Sequence, residues 1–352
     1  MAIKVVQWAT GKLGGAMLAE AIRDPRFEVV GCFVYSADKV GVDIGTLVGL
    51  DPIGVKATDQ RDEIFALDAD VVFHAPLHRF PASMEQHDAD VIRLLESGKN
   101  VISVMGYTDP AGFGEAHAAP LRDACIRGGS SLFGTGVTPG FVSERLAVAV
   151  SGLCTDIKSL DVLEHYNISA ASPAMLRTMG MGIKPEEFDE EKIGEENEKF
   201  YGSFFADVLG RLGGKVDRFE RSQCDLVLAE GPMQSKGMPF PVDTGDIVGC
   251  LWKWTVYSQG KPFFTYRMQW QLGDQIPGWY DWNGWTITID GTPCVKTDLA
   301  VASSMDKFGS GVAEYGEETM AALVINAVQN VIAAPPGFFK APVFAPYNMS
   351  AI

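Results

Sequence analysis

The first residues whose types and spacing could do chemistry form a turn near the start of the chain. The turn reads Ala9-Thr10-Gly11-Lys12-Leu13-Gly14, which differs from the pattern GxGxxG only by an alanine at the first glycine. Gly11 would let the backbone approach a diphosphate, and Gly14 would let the following helix pack close to the preceding strand. The N–H groups that begin this helix would bind phosphate oxygens. An ordinary strand–turn–helix also fits the motif, but its position between a strand and a helix favours a dinucleotide site, and the methyl group of Ala9 is expected to be a small loss.

The end of the predicted second strand indicates which nucleotide this turn would bind. An NAD site places Asp or Glu there to accept hydrogen bonds from the ribose. Here the strand ends with Tyr35 and Ser36, and Lys39 follows three residues later. A hydroxyl group and a cation suit a 2′-phosphate better than a diol, although Asp38 weakens the distinction. NADP is favoured; the alternative is that NAD binds and that Ser36 and Lys39 are ordinary loop residues.

The elements that must position this turn alternate along the first 150 residues. Strands are predicted at 3–9, 27–36, 69–76, 100–106 and 130–136, and helices at 14–24, 61–67, 84–98 and 115–129. Continuous apolar strands separated by helices of this kind indicate a parallel sheet covered on both faces.

The pattern changes near residue 150, where long strands begin to dominate. Between 264 and 272, large apolar residues alternate with Thr, Arg and Gln, which indicates a sheet with one wet or partner-facing side. Helical pattern inside this section is expected only at about 185–220. The fold class predicted is α/β: a doubly wound parallel sheet plus an α+β domain with a large, mainly antiparallel sheet. The predicted domains are 1–148 for dinucleotide binding, 149–314 for substrate binding and dimerisation, and 315–352 for a C-terminal helix and tail packing back on the first.

Composition restricts the function classes. The formal charge of −16 argues against binding to nucleic acid or to anionic membranes. The six cysteines show no CxxC pair and are expected to be free thiols in a reducing cytoplasm. No segment reads as a bilayer span or a secretory signal, so a cytoplasmic protein is expected. No pair of residues has metal-ligand spacing, and no metal site is predicted.

Five stretches resemble the native amine dehydrogenases and their relatives, including 2,4-diaminopentanoate dehydrogenase. They are VVQWATGKLG (5–14), ADVVFHAP (69–76), GTGVTPGF (134–141), MGMGIKP (179–185) and INAVQNVIAAPPG (325–337). The resemblance implies a Rossmann domain similar to that of dihydrodipicolinate reductase and a second domain that closes over it and dimerises. It also implies NAD(P)H-dependent reduction of a carbonyl or imine carbon, in a homodimer.

The resemblance further implies where the cofactor lies. Contacts to the nicotinamide half are expected at Ala75, Pro76, Gly106, Gly134, Thr135 and Gly136, with Asn326 on the last helix. His78 and Arg79 are expected to line the cleft or its rim.

One departure from the resemblance concerns the acid. The amine dehydrogenases carry a glutamate just after the strand that corresponds to 100–106 here, and this glutamate handles ammonia or the imine proton. Met105, Gly106 and Tyr107 stand there instead, and neither Met nor Gly can move a proton. Tyr107 could donate a proton to a developing alkoxide. The alternatives are that Tyr107 only packs beside the nicotinamide, or that Asp109 acts.

The substrate side is predicted from the first strand of the second domain. Either His165 with Asn167 or Glu164 with Tyr166 faces the cleft, because successive residues point to opposite faces. We favour His165 as a second proton-transfer group and Asn167 as a substrate contact. Met179 and Trp279 are expected to contact a bulky apolar substrate.

The function predicted from the sequence is an NAD(P)H-dependent oxidoreductase. It would transfer hydride to a C=O, C=N or activated C=C bond of a small-to-medium apolar substrate. The alternatives are an amine dehydrogenase with a relocated acid and a catalytically silent NADP-binding protein.

Overall fold

Apolar strands and amphipathic helices alternate through the first part of the chain. In chain order they are β1 (Ile3–Trp8), α1 (Lys12–Arg23), β2 (Phe27–Phe33), α2 (Ile44–Leu47), α3 (Arg61–Ala66), β3 (Val71–His74), α4 (Glu85–Glu96), β4 (Asn100–Ser103), α5 (Glu115–Gly128) and β5 (Ser131–Gly134). Short 3₁₀ turns occupy Ala37–Lys39 and Pro110–Phe113.

Long strands dominate the rest. A π-helical turn (Val142–Ala147) precedes α6 (Val148–Ser151), β6 (Asp156–Asn167), α7 (Pro173–Thr178), α8 (Glu190–Arg211), β7 (Arg218–Leu228), β8 (Ile247–Ser258), β9 (Lys261–Gln271), β10 (Gly284–Thr292), β11 (Val295–Leu299), α9 (Gly316–Ile332) and β12 (Gly337–Phe338). Further 3₁₀ turns lie at Pro185–Glu187 and Met305–Lys307. The expectation of helix only at 185–220 is wrong, because α7 precedes that range; proline at its first position suits a helix start.

The computed structural model describes residues 2–77, 85–169, 171, 173–234, 238–273, 276–280, 282–302, 304–308 and 316–349. The chain forms two units, Met1–Phe141 with Gly316–Pro342 and Val142–Tyr315 with Val343–Ile352. The first boundary follows residue 141, whereas the sequence predicts it after residue 148. The C-terminal segment is divided between the two units after residue 342, whereas the sequence predicts that it packs wholly on the first domain. Over the described ranges, no helix has both the length and the apolarity that crossing a bilayer requires.

The first unit contains a parallel sheet with strand order β2-β1-β3-β4-β5-β12. Val5 of β1 lies between Val29 of β2 and Val71 of β3, so the order reverses between β1 and β3. One face of the sheet packs against α1 and α9, and the other against α4 and α5. The predicted doubly wound parallel sheet is confirmed. In such sheets, ligands bind outside the carboxyl ends of the strands where the order reverses.

The second unit contains a sheet with strand order β11-β10-β6-β9-β8-β7. Among the strands that the structure describes in this sheet, only β6 and β9 pair in parallel; the other pairs are antiparallel. The apolar residues of β9 from Phe264 to Trp270 are buried, and the Tyr266 ring lies 5.2 Å from the rings of Tyr201 and Phe204 on α8. The predicted, mainly antiparallel second sheet is confirmed.

The helix α9 completes the first unit from the far end of the chain. Its Val324 and Val328 belong to the same buried cluster as Met17 of α1 and Val5 of β1. The chain then adds β12 to the sheet edge, where Gly337 pairs with Ser131. The first core is therefore built from two segments that lie far apart in sequence.

Candidate functional site

The turn after β1 has a backbone conformation that usually requires glycine. Ala9 has φ = 72°, its N–H donates to the carbonyl of Phe33 at 2.8 Å, and its own carbonyl accepts from Gln7 Nε2 at 2.8 Å. A left-handed conformation costs about 1–2 kcal/mol for a residue with a Cβ. The cost of alanine at this position therefore comes from the backbone rather than from the room for a methyl group.

The two glycines of the turn differ in their surroundings. A Cβ on Gly14 would lie 2.1 Å from the carbonyl oxygen of Ala9, so only glycine lets α1 pack this close to the turn. A Cβ on Gly11 would meet nothing within 4 Å. Gly11 is the N-cap residue of α1 and, as a glycine, supplies no capping side chain. The first N–H groups of a helix have no intrahelical partner, and a ligand can accept from them. This cradle fits a diphosphate.

The end of β2 is tied to this turn. Lys39 Nζ donates to the carbonyl of Thr10 at 2.8 Å and to Thr10 Oγ1 at 3.2 Å. Ser36 is exposed and begins the 3₁₀ turn that carries Lys39. Trp8 Nε1 donates to the hydroxyl of Tyr35 at 3.1 Å. The structure thus brings the ammonium of Lys39 next to the glycine turn.

The loops after β3, β4 and β5 reach the same edge of the sheet. The N–H of Ala75 donates to the carbonyl of Trp8 at 3.0 Å, and that of Thr135 to the carbonyl of Ser103 at 2.9 Å. Gly106 is buried with φ = 69°. A Cβ on Gly134 would lie 1.9 Å from the backbone of Tyr107, so these two loops approach closely.

The remaining predicted cofactor contacts lie in different surroundings. Lys12 is exposed and Leu13 half-buried in the first turn of α1, and Pro76 is buried. A Cβ on Gly136 would lie 2.4 Å from the carbonyl of Pro139. Asn326 is exposed on α9. His78 and Arg79 lie outside the described residues. A cofactor contact at each of these positions stays a prediction.

Tyr107 belongs to a buried polar cluster. Its hydroxyl donates to Asp88 Oδ1 at 2.7 Å, and Asp88 Oδ2 lies 3.0 Å from His117 Nδ1. Burial, followed by the charge of Asp88, raises the pKa of the Tyr107 phenol well above its usual value. This environment opposes release of the phenolic proton, so the donor role of Tyr107 stays a prediction without support from the geometry. Asp109, the alternative, forms an ion pair with Lys340 at 3.0 Å.

His74 ends β3 beside this cluster. Its Nδ1 lies 2.9 Å from Ser103 Oγ, and its ring centroid lies 5.8 Å from that of His87. Burial lowers the pKa of His74 to about 3 and also lowers that of His87. His74 is therefore a neutral core residue at physiological pH.

His165 lies under a loop of its own unit. Its Nδ1–H donates to the carbonyl of Trp282 at 2.7 Å, and its ring stacks on Tyr280 with centroids 4.4 Å apart. The side chain is 1% exposed, and burial lowers its pKa. Trp279 of the same loop packs on β8, because a Cβ on Gly249 would lie 3.0 Å from its ring. These contacts make His165 an anchor for Tyr280 and Trp282, and its proton-transfer role stays a prediction.

The two other predicted substrate residues also make internal contacts. Asn167 Nδ2 donates to the carbonyl of Gly273 at 2.7 Å, and its Oδ1 accepts from the N–H of Ser169 at 3.1 Å. Met179 is buried just after α7. Their substrate contacts stay predictions.

The opposite face of β6 carries a carboxylate that sequence reasoning set aside. Glu164 is buried; its Oε1 accepts from Trp270 Nε1 at 2.9 Å, and its Oε2 from Trp285 Nε1 at 3.0 Å and from the hydroxyl of Tyr266 at 3.3 Å. Tyr166 stands on the same face, with its ring 5.0 Å from that of Trp285. The signal in the sequence was an acidic residue on an apolar strand face.

Gln7, Asp88 and His117 were also missed. Gln7 is a polar residue inside an apolar strand, which is a readable signal for a buried hydrogen-bond role. Asp88 and His117 come from α4 and α5, and no local pattern connects them. Across the described ranges, no group of three or more His, Cys, Asp or Glu residues could hold a metal ion.

Comparison with known proteins agrees with this architecture. An amine dehydrogenase of Streptomyces virginiae is 31% identical over 185 residues, which cover 51% of each chain. The 2,4-diaminopentanoate dehydrogenase of Acetoanaerobium sticklandii is 25% identical over 195 residues, which cover 53% of each chain. The chain thus spans about half the length of the curated relatives it matches. The solved structure of an amine dehydrogenase from Mycobacterium smegmatis superposes with a TM-score of 0.78 at 20% identity, covering 97% of this chain and 95% of that one.

The family itself is identified by residues 141–344, which match the model of the 2,4-diaminopentanoate dehydrogenase C-terminal domain. The match covers the whole second sheet and extends through α9 and β12. It confirms the resemblance found in the five sequence stretches. The chain belongs to the 2,4-diaminopentanoate dehydrogenase family.

Proposed function

We propose that this protein is a nicotinamide dinucleotide-dependent dehydrogenase that interconverts a C–H bond with a carbonyl or imine carbon. The observation that carries the proposal is the turn after β1. Its left-handed Ala9, its open Gly11 and its tightly packed Gly14 stand where the strand order of a parallel sheet reverses. The names of the relatives and of the family support the same reaction class.

The chain's own residues would hold the cofactor at the edge of the first sheet. The first N–H groups of α1 would bind the diphosphate, with Lys39 adding a positive charge beside Thr10. The backbone of Ala75, Gly106 and Thr135 would border the nicotinamide half. When bound, the nicotinamide would supply or accept the hydride.

We favour NADP over NAD as the natural cofactor. The three residues that follow β2, Val34-Tyr35-Ser36, contain no acidic side chain to accept hydrogen bonds from a ribose diol. The exposed hydroxyl of Ser36 and the nearby ammonium of Lys39 suit a 2′-phosphate instead.

For the substrate, we propose a small-to-medium apolar carbonyl or imine compound. The alternative within this class is an amine dehydrogenase whose acid lies elsewhere than after β4. The relatives' names favour that alternative, and Glu164 is the carboxylate we propose for it. Three N–H or O–H donors stabilise its ionised form, and aromatic rings next to a carboxylate form a favourable surrounding for an ammonium group.

A binding and turnover experiment tests the proposal. NADPH and NADH fluorescence would be titrated with the protein, and oxidation of the bound form followed with a panel of ketones with and without ammonia. Turnover with ketone alone indicates a carbonyl reductase, and turnover only with ammonia indicates the amine dehydrogenase. Binding with no turnover on any carbonyl, imine or enone indicates a catalytically silent protein. Absence of binding at millimolar nucleotide would overturn the proposal.

Two variants of Gly11 separate binding from folding. Gly11→Asp places a carboxylate in the open cradle without a steric clash, and Asp at an N-cap favours the helix. We expect a melting temperature at or above that of the wild type and an NADPH affinity reduced at least about tenfold, because two like charges would share the site. Gly11→Ala adds size without charge and should bind more tightly than Gly11→Asp. Equal affinities in both variants would place the diphosphate elsewhere.

The sequence-based expectations of a homodimer and of a cytoplasmic location remain part of the proposal. Sedimentation of the purified chain checks the first, and fractionation of the source cells checks the second.

A further inference from the structure

We infer that Arg61, at the start of α3, is a specificity-determining residue that binds the adenosine 2′-phosphate of NADP. This inference deepens the proposed function and rests on it. Arg61 belongs to none of the segments that predict the nucleotide site, and lies 25 residues beyond Ser36 along the chain. Its placement comes from the fold.

Arg61 lies against the residues that end β2. Its guanidinium carbon is 4.9 Å from the ring centroid of Phe33, the last residue of β2, and 5.9 Å from that of Tyr35. The Tyr35 hydroxyl in turn accepts from Trp8 Nε1, at the end of β1. Arg61 therefore stands at the carboxyl edge of the sheet, beside the strand end that reads the ribose in dinucleotide sites.

The guanidinium is oriented but still accessible. Its Nε donates to Asp90 Oδ1 at 2.8 Å, and the Arg61 side chain remains 44% exposed. Because this bond uses Nε, the two Nη groups can donate to a second anionic acceptor. The Asp90 carboxylate sits on α4 and is largely buried, which holds the arginine in one orientation. A fixed, planar guanidinium can bind phosphate oxygens through two parallel N–H bonds.

The local charges agree with a phosphate ligand. The ammonium of Lys39 donates to the carbonyl of Thr10, in the glycine turn. The guanidinium of Arg61 lies over the ring of Tyr35, which follows β2. Two cations next to this strand end favour a dianionic 2′-phosphate, whereas a ribose diol gains nothing from a second cation. The exposed carboxylate of Asp38, beside Lys39, opposes part of this charge.

A purely bracing arginine offers a matched comparison. Arg93 on α4 makes the same two kinds of contact: its guanidinium carbon lies 4.1 Å from the ring of Phe65, and its Nη2 donates to Asp62 Oδ1 at 2.9 Å. Its partner Asp62 directly follows Arg61, so the two ion pairs join the same two helices side by side. Arg93→Ala thus removes the neighbouring α3–α4 ion pair and leaves the guanidinium of Arg61 in place.

The test is the ratio of dissociation constants for NADPH and NADH, measured by fluorescence titration of the purified protein. Arg61→Ala should weaken NADPH binding at least about tenfold, which is about 1.4 kcal/mol, and change NADH binding less than twofold. Arg61→Lys should retain part of the preference, and Arg93→Ala should leave both constants unchanged. Adenosine 2′,5′-bisphosphate and 5′-AMP, used as competitors, should show the same difference.

Three outcomes overturn the inference. If Arg61→Ala leaves NADPH binding unchanged, the arginine only braces α3 against α4. If it weakens NADPH and NADH equally while the melting temperature is kept, the side chain contacts the adenine or the diphosphate instead. If Arg93→Ala produces the same loss, the effect is structural. In each of these cases the wild type still binds NADPH, so the proposed function stands; a wild type that binds neither nucleotide defeats both.

Discussion

The parallel sheet of the first unit and the mixed sheet of the second present their polar groups in different ways. In the parallel sheet, the candidate site residues follow strand ends: Ala9 after β1, Ala75 after β3 and Thr135 after β5. In the mixed sheet, Glu164 and His165 are neighbours on one strand, and their side chains point to its two faces.

This difference changes what a substitution does. The site of the first unit is mostly backbone, so its function depends on local conformation and on the space left by glycine. The buried polar side chains of the second unit are fixed by hydrogen bonds. Two indoles and a phenol donate to Glu164, and His165 donates to a backbone carbonyl. A change of side chain should therefore matter more in the second unit, and a change at glycine more in the first.

The strongest test of this contrast is Gly14→Ala. The new Cβ would lie 2.1 Å from the carbonyl oxygen of Ala9 and 2.9 Å from Gln7 Nε2. We expect the free energy of unfolding, measured by urea denaturation, to fall by about 3 kcal/mol or more. Gly15→Ala is the control, because its nearest neighbour would be Val48 Cγ1 at 3.9 Å; it should gain up to about 1 kcal/mol. Equal losses in both variants would mean that the turn has no special packing.

Glu164→Gln tests the side-chain network of the second unit. Both oxygens of the carboxylate accept an indole N–H, so the amide NH₂ must face a donor whichever way it turns. We expect a loss of about 2–3 kcal/mol, seen in urea denaturation followed by tryptophan fluorescence. The control is Glu220→Gln on β7, an exposed residue that accepts from the hydroxyl of Tyr257; it should cost less than about 1 kcal/mol. Similar losses would show that the buried network contributes nothing beyond a surface pair.

The pH dependence of stability sharpens the comparison further. Burial lowers the pKa of His74 to about 3 in the folded protein, whereas its pKa in the unfolded chain is about 6.5. As the pH falls below about 6.5, the unfolded chain therefore binds a proton at His74 that the folded protein does not bind. The stabilisation is complete above that pH, and about 2 kcal/mol should be lost between pH 7 and pH 5. His74→Gln should show a correspondingly shallower decrease. For His165, the bond to Trp282 opposes the effect of burial on the pKa, so His165→Gln should alter the decrease less. A His74→Gln decrease as steep as that of the wild type would contradict this account.

Much of the architecture could be predicted from the sequence because spacing encodes it. Apolar runs predicted the strands of the parallel sheet, and the alternation at 264–272 predicted the two faces of β9. The residues named for the nucleotide turn also come together, since a strand, a turn and a helix are local structures. The conformation of Ala9 was not predictable, because its residue type does not reveal φ.

The side chains that converge from distant segments could not be predicted in the same way. Tyr107 was recognised as a proton-bearing residue, but its partner Asp88 comes from α4, and no pattern links the two. The choice between His165 and Glu164 was left to the strand's orientation. Which face is covered depends on β10, on α8 and on the loop containing Trp282, all of which lie more than 20 residues away.

The position of α9 has a consequence for how the protein is made. During synthesis on the ribosome, the strands β1 to β5 emerge early, but α9, which packs with α1 on one face of their sheet, emerges only after the second sheet. Until Val324 and Val328 arrive, the apolar surface of Met17 and its neighbours is exposed to water and to other nascent chains. The nascent protein must keep this surface from aggregating while residues 142–315 are translated, so chaperone dependence should be set by the arrival of α9 rather than by the strands β1 to β5.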